Sequence, residues 1–330
     1  MRFGPVPLSG AEGAVLAHSV AVPGGRLRKG KLVDAGDVAA MQAAGLTEVT
    51  VARLEPGDVG EDDAATRLAA ALLGADAVSA GLAPTRAATG RVNLIAQLPG
   101  IVELHPEAIN AINAVDPMIT IATVPEWQRL GQGGMAATIK IIAYAVPEAA
   151  LERACDAARG AMRMRAATHG AATLIQTTVG AEVGEKGHKA IEARLAALGV
   201  SLGPKQLVAH EVDILAGALL QAGGDVLFVL TGSATSDLRD VAPEALRRAG
   251  GSVTHFGMPV DPGNLLFLGE LGDKPVIGLP GCARSPALNG ADWVMERVLC
   301  GVPVGPADIA AMGVGGLLKD IPQRGRMRDA

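Results

Sequence analysis

The chain has 330 residues, 49% of them hydrophobic but only 2% aromatic, and a formal net charge of −5. That length suits about two or three domains. An acidic chain whose basic clusters are confined to "GGRLRKGK" and "RGRMR" lacks the positive face of a nucleic-acid binder. Cys155, Cys282 and Cys300 are widely spaced. No CxxC pair points to zinc, and an odd thiol count fits a reducing compartment. "MRFGPVPLSG" has no signal-peptide core, and apolar runs such as "ITIATV" are too short to span a membrane. A soluble, cytoplasmic protein is expected, with no nucleic acid or membrane as partner.

Residues 1–60 read as a small β-rich domain with one helix. "AVLAHSVAV" and "EVTVARL" are strand-like, and "DVAAMQAAG" is a helix capped by Asp34 or Asp37 and stopped by Gly45. The acidic, glycine-bearing "EPGDVGEDDA" reads as a linker or hinge. Residues 61–167 read as a middle α/β domain, with a helix over "DDAATRLAAALLG". "GRVNLIAQLPGIVELHPEAINAINAVDPMITIATV" then alternates strand, helix and strand.

Residues 168–305 give the clearest pattern, followed by a C-terminal tail over 306–330. "AATLIQTTVG", "KQLVAH", "DVLFVLTG" and "KPVIGLPG" are strands. They are separated by helices over "KGHKAIEARLAALG", "EVDILAGALLQAGG" and "VAPEALRRAGG", and a last helix is expected over "SPALNGADWVMERVLCG". "DVLFVL" and "PVIGL" are continuously apolar, as in a parallel sheet covered on both faces. The fold class is therefore α/β: an open, mostly parallel sheet with helices on both faces, after a small β-rich domain and an α/β middle unit. Right-handed crossovers bring the strand ends to one edge, where open parallel sheets bind ligands.

Three loops reach that edge. In "LTGSATSDLRD" (230–240), Gly232 allows close backbone approach, and Thr231, Ser233, Thr235 and Ser236 offer hydroxyls. The N-terminus of the next helix is a ready anion site. Asp237 and Asp240 would repel a bare anion. They suit a bound Mg²⁺ on Asp237 or a ring with donor nitrogens, although capping alone also explains Asp240. "LPGCARS" (279–285) turns at Pro280 and Gly281 and presents Arg284 and Ser285 at a helix start, where the arginine suits a phosphate. Cys282 has no base beside it in sequence and reads as an inert buried thiol. "GMPVDPGN" (257–264), with Pro262 and Gly263, is a rigid loop of the pocket-lining kind. Elsewhere, Gly25, Gly30 and Lys31 match P-loop spacing, but Leu32 stands where Ser or Thr must hold Mg²⁺. "GQGGM" is a weak glycine cluster, and His105 and His169 show no ligand spacing.

Taken in order, the run "AHEVDILAGALLQAGGDVLFVLTG", the turn followed by "RDVAPEALRRAGG", "PVDPGN" and "GLPGCARSP" resembles the molybdopterin-binding domain of molybdopterin adenylyltransferases and molybdotransferases. "RLRKGKLVDAGDVAAMQAAGLTEVTVARL" is similar to the small domain before it in molybdotransferases. The chain departs from the family pattern at Ser233 and Ala283, which stand for a glycine and a proline. Asp261 stands where the family is often basic, and His210-Glu211 where it has an acidic pair. Glu182, at a shifted position, replaces the acid after the first strand.

The resemblance implies molybdopterin as ligand, with ATP and Mg²⁺ as co-reactants, and a role in molybdenum cofactor biosynthesis. It implies catalytic roles for Asp237 and Asp240. Thr231, Gly232, Ser233, Thr235, Ser236, Pro280, Gly281, Arg284, Ser285, Pro262, Gly263 and Glu211 would bind the ligand. Three readings stand: a transferase that adenylylates molybdopterin or inserts molybdate, a non-catalytic carrier, and a regulatory protein binding something else. The family habit implies a homo-oligomer, with a nucleotidyltransferase or a molybdoenzyme as protein partner.

Overall fold

The computed structural model describes residues 1–74, 80–180, 184–261 and 263–318. Backbone contacts divide the chain into two units. One comprises residues 1–98 and 102–164; the other comprises 99–101 and the chain from Arg165 onward.

The first unit opens with β1 (Arg2–Pro7), β2 (Val15–Leu16), β3 (Val20–Val22), β4 (Gly25–Leu27), α1 (Ala35–Ala43) and β5 (Glu48–Arg53). β5 is the centre of an antiparallel sheet in the order β1–β5–β2. The N-terminus of α1 is fixed by a reciprocal capping box. The Asp37 backbone N–H donates to Asp34 Oδ1 at 2.8 Å, and the Asp34 N–H donates to Asp37 Oδ2 at 3.1 Å. Leu8, Leu16, Met41 and Val51 form the small core beneath.

The unit continues through β6 (Asp58–Gly60), α2 (Glu61–Leu73), β7 (Leu82–Pro84), β8 (Arg91–Ala96), β9 (Gly100–Leu104), α3 (Pro106–Val115), β10 (Ile119–Thr123), β11 (Arg129–Leu130), β12 (Met135–Ile141), β13 (Ala145–Pro147), α4 (Glu148–Ala158) and β14 (Met162–Arg165). The main sheet runs β10–β12–β8–β7 and is antiparallel throughout. Its core, which includes Leu68, Leu94, Ile139 and Leu151, is separate from that of residues 8–51. The stretch 55–64, read from its acidity as a hinge, is structured instead. β6 pairs with β13, and α2 begins directly after it. Acidic residues in a first helical turn complement the helix dipole, so the acidity that suggested a linker marks a helix start.

The second unit contains β15 (Ala171–Thr178), α5 (Lys186–Ala196), β16 (Ser201–Leu202), β17 (Gln206–Ala209), α6 (Val212–Gln221), β18 (Val226–Leu230), α7 (Val241–Arg248), β19 (Ser252–Met258), β20 (Asn264–Leu271), β21 (Lys274–Leu279), α8 (Gly290–Leu299) and α9 (Pro306–Ala311). These strands build a seven-stranded, mostly parallel sheet in the order β16–β15–β18–β21–β20–β19, with β17 also on β15. The pairings of β15, β16, β17, β18 and β21 are parallel, and β20 and β19 close the sheet antiparallel.

Both faces are covered, which is why the strands are apolar without alternation. Ile175, Leu227, Val229, Phe267 and Val276 pack under α6 and α7. Residues of the other parity, Leu174, Phe228 and Ile277, are equally buried, and Leu230 lies against Gly187 of α5. Among the described residues, no helix is long and apolar enough to cross a membrane.

Candidate functional site

Parallel pairing puts the C-terminal ends of β15, β17, β18 and β21 at one edge of the sheet. β20 is antiparallel to β21, so the β19–β20 loop reaches the same edge. The three loops singled out in the sequence therefore converge, as the topology requires. Pro262 and Glu182 lie outside the described residues.

The loop after β18 is anchored at its first turn. The Gly232 N–H donates to Thr177 Oγ1 at 2.9 Å, and Thr177 Oγ1 is 2.8 Å from His210 Nδ1. The Thr177 hydroxyl thus links the Gly232 backbone to the His210 ring. A side chain on Gly232 would place its Cβ 2.7 Å from the Thr177 carbonyl oxygen. Close approach is what this glycine permits, and one group that approaches it is the end of β15. Thr177→Val keeps the shape while leaving the Gly232 N–H and His210 Nδ1 without their partner. It is expected to cost about 1–3 kcal/mol, read by denaturant unfolding.

The hydroxyls of this loop divide into two sets. Thr231 and Thr235 are buried and face each other, Oγ1 to Oγ1 at 3.2 Å. Ser233 and Ser236 are exposed. The expected anion site at the start of α7 is already filled. Asp240 is the N-cap, its Oδ1 accepting from the Val241 N–H at 2.7 Å and its Oδ2 from the Ser236 N–H at 2.9 Å. A carboxylate seated on the helix terminus shapes the loop and opposes a second anion there. Asp237 is exposed, and its Oδ1 accepts from the Arg239 N–H at 2.8 Å. Among the described residues, no three His, Cys, Asp or Glu side chains converge to hold a metal. Magnesium is usually held by one or two carboxylates together with substrate phosphate oxygens, so Asp237 would need a bound phosphate to complete such a site.

The loop after β21 differs from the expectation in its helix. Gly281–Arg284 is a short 3-10 turn that Ser285 ends, and α8 starts only at Gly290. Asn289 is the N-cap, in a capping box with Asp292. Arg284 and Ser285 therefore lie ahead of the helix rather than on its first turn. The half-buried Arg284 turns back across the edge, and its Nη2 donates to the Thr231 carbonyl at 2.5 Å. Its other donors have no hydrogen-bond partner among the described residues. Pro280 is the N-cap position of the turn, and Gly281 is exposed.

Cys282 is half-buried rather than buried, with the Asn264 amide Nδ2 3.9 Å from its sulfur. That contact ties the start of β20 to the turn. Gly263 takes a φ of +76° and Asp261 a φ of +54°, and the Asp261 N–H donates to the Gly316 carbonyl at 2.9 Å. Glu211 is the N-cap of α6, exposed and without a side-chain cap bond.

Several members of this edge escaped sequence reasoning: Thr177, Gln176, His188 and Arg194. Gln176 is 1% exposed, and a Cβ on Gly187 would meet its amide at 3.1 Å. Gln176 Oε1 and His188 Nδ1 are buried without a hydrogen-bond partner. A polar residue in the apolar run "TLIQTT" was the available signal for Gln176 and Thr177.

Residues 5–53 match the family model of a domain of unknown function, DUF8806. No curated protein matches the chain. A solved structure described as "Crystal structure of Molybdenum cofactor biosynthesis protein B" is similar over 41% of this chain and 96% of its own. The identity there is 15% and the TM-score 0.32.

Proposed function

We propose that the second unit binds molybdopterin at the carboxyl edge of its sheet and serves molybdenum cofactor biosynthesis. The observation that carries this reading is the joining of the two motif loops by Arg284. Its guanidinium bonds the Thr231 carbonyl and keeps further donors at the sheet edge that also carries the loop of the exposed Ser233, Ser236 and Asp237. A planar cation with spare donors at an edge that carries hydroxyls suits a terminal phosphate, and an exposed carboxylate suits the amino and amide N–H groups of a pterin. The ordered motifs of the sequence supply the ligand's identity.

Within the proposed site, Arg284 and the two serines hold and orient the phosphate end, and Asp237 accepts from the ring. Asp240 acts through loop shape. The transferase reading would add charge neutralisation of a transferring group, with positioning as the main contribution of the chain. The commitment of Asp240 to two backbone N–H groups favours the carrier reading, because one exposed carboxylate remains where two were expected.

Titration of purified molybdopterin into the full chain tests the proposal. Wild type is expected to bind, and Asp237→Ala about tenfold more weakly, the scale of one hydrogen bond to a charged group. No binding by wild type overturns the reading. Release of AMP or pyrophosphate when ATP and Mg²⁺ are added would make the protein a transferase; binding without release would make it a carrier.

A further inference from the structure

A buried ion pair on this side of the sheet is anchored by Arg194, on α5. Its side chain is 11% exposed and pairs through Nε with Asp292, which is 7% exposed. The rest of the guanidinium is spent on backbone carbonyls. Nη1 donates to Ala190 and Ala283, both at 3.1 Å, and Nη2 to Ser285 at 2.8 Å and Ala287 at 3.0 Å. Three of those four carbonyls belong to the loop between β21 and α8. Asp292, the ion-pair partner, also accepts from the Asn289 N–H at 2.8 Å and so closes the cap of α8. One side chain thus holds both the loop and the start of the helix that follows it.

The geometry points to Arg194 as the positioning residue of the 281–287 loop, fixing from beneath where Arg284 and Ser285 are presented. Ala283 and Ser285, whose carbonyls it holds, flank Arg284 on either side. Arg284 in turn bonds the Thr231 carbonyl, so the position of Arg194 sets the alignment of both loops at the edge. Only a planar fork with five donors can serve a carboxylate and four carbonyls at once. A lysine ammonium keeps the ion pair but cannot span the carbonyls. The effect on the loop is independent of any ligand; its effect on molybdopterin binding rests on the function proposed above.

The test uses Arg194→Lys in the full chain. The first readout is the alkylation rate of Cys282, inside the loop, against that of Cys155, which is also half-buried but lies in the other unit. Cys282 is expected to react about tenfold faster, with Cys155 unchanged, as local opening exposes the thiol. Amide exchange is expected to accelerate over 281–287 but not in β18. An unchanged Cys282 rate, or equal acceleration of both thiols, overturns the assignment, because the arginine would then be a general tie between helices. If Arg194→Lys fails to fold, Asp292→Asn is judged by the same ratio, with a smaller acceleration of Cys282 expected. Molybdopterin titration forms the second arm. Weaker binding by a variant that retains its thermal midpoint supports the positioning role, and undiminished binding by a variant with a loosened loop overturns it. Failure of wild type to bind rejects the molybdopterin reading and leaves the thiol ratio to decide on Arg194.

Discussion

Replacing Gly278 by alanine is expected to destabilise the second unit by about 3 kcal/mol or more, at the upper end of overpacking costs. Gly278 sits on β21 directly opposite Phe267 of β20. A Cβ built there would lie 1.9 Å and 2.0 Å from two carbons of the Phe267 ring. The ring is 1% exposed and belongs to the core under α6 and α7, so it has no vacant side to swing into. An aromatic ring laid over a cross-strand glycine covers the strand where a side chain is missing, and the two residues form a single packing unit. The thermal midpoint should fall by about 6–12 °C for a unit of this size. Adding Phe267→Leu should recover part of the loss, so the double variant is less destabilised than the sum of the two singles. A Gly278→Ala variant within about 1 kcal/mol of wild type would show that the ring has room to move.

Arg284→Ala is the change expected to reduce ligand binding most. It removes the bond to the Thr231 carbonyl and the cation at the edge together. Molybdopterin affinity should fall about 100-fold, the scale of losing charge-assisted bonds to a phosphate. Stability should fall far less, because the side chain is only half-buried. Arg284→Lys should recover part of the affinity by restoring the charge, but not all of it, since an ammonium cannot bond the carbonyl and the phosphate with the same fixed geometry. Titration beside a melting curve separates the two effects. Unchanged affinity in Arg284→Ala would confine this residue to joining the loops.

The sheet of the second unit was legible in the sequence for a simple reason. Runs such as "DVLFVL" and "PVIGL" are buried on both faces, and glycine or proline bounds them. The loops were placed because strand ends follow from strand order. The start of α8 was misplaced by five residues, since Ser285-Pro286 imitates a helix entry. The true entry, Asn289 with Asp292 three residues on, carries its own capping pattern in the same stretch. Gly232 was seen as a point of close approach, but its backbone neighbour was not. The neighbour, the end of β15, is 55 residues away in sequence.

Arg194 and Thr177 were invisible for the same physical reason. On a helix, one arginine among "KAIEARLAALG" reads as surface charge until the loop that covers it is placed. A threonine inside a strand reads as β propensity until its hydroxyl finds Gly232 and His210. Local pattern reports which face a residue occupies, whereas long-range contacts decide what that residue does.

The bond from Arg284 to Thr231 has a consequence for how this edge would meet a ligand. Loops from two neighbouring parallel strands are joined to each other and, through Gly232 and Thr177, to a third strand end. Their conformational entropy is lost when the chain folds rather than when a small molecule arrives. A ligand docking there would order little more than the exposed Ser233, Ser236 and Asp237. Its affinity would then be set by the strength of its own bonds to the edge, with little subtracted for freedom the chain gives up.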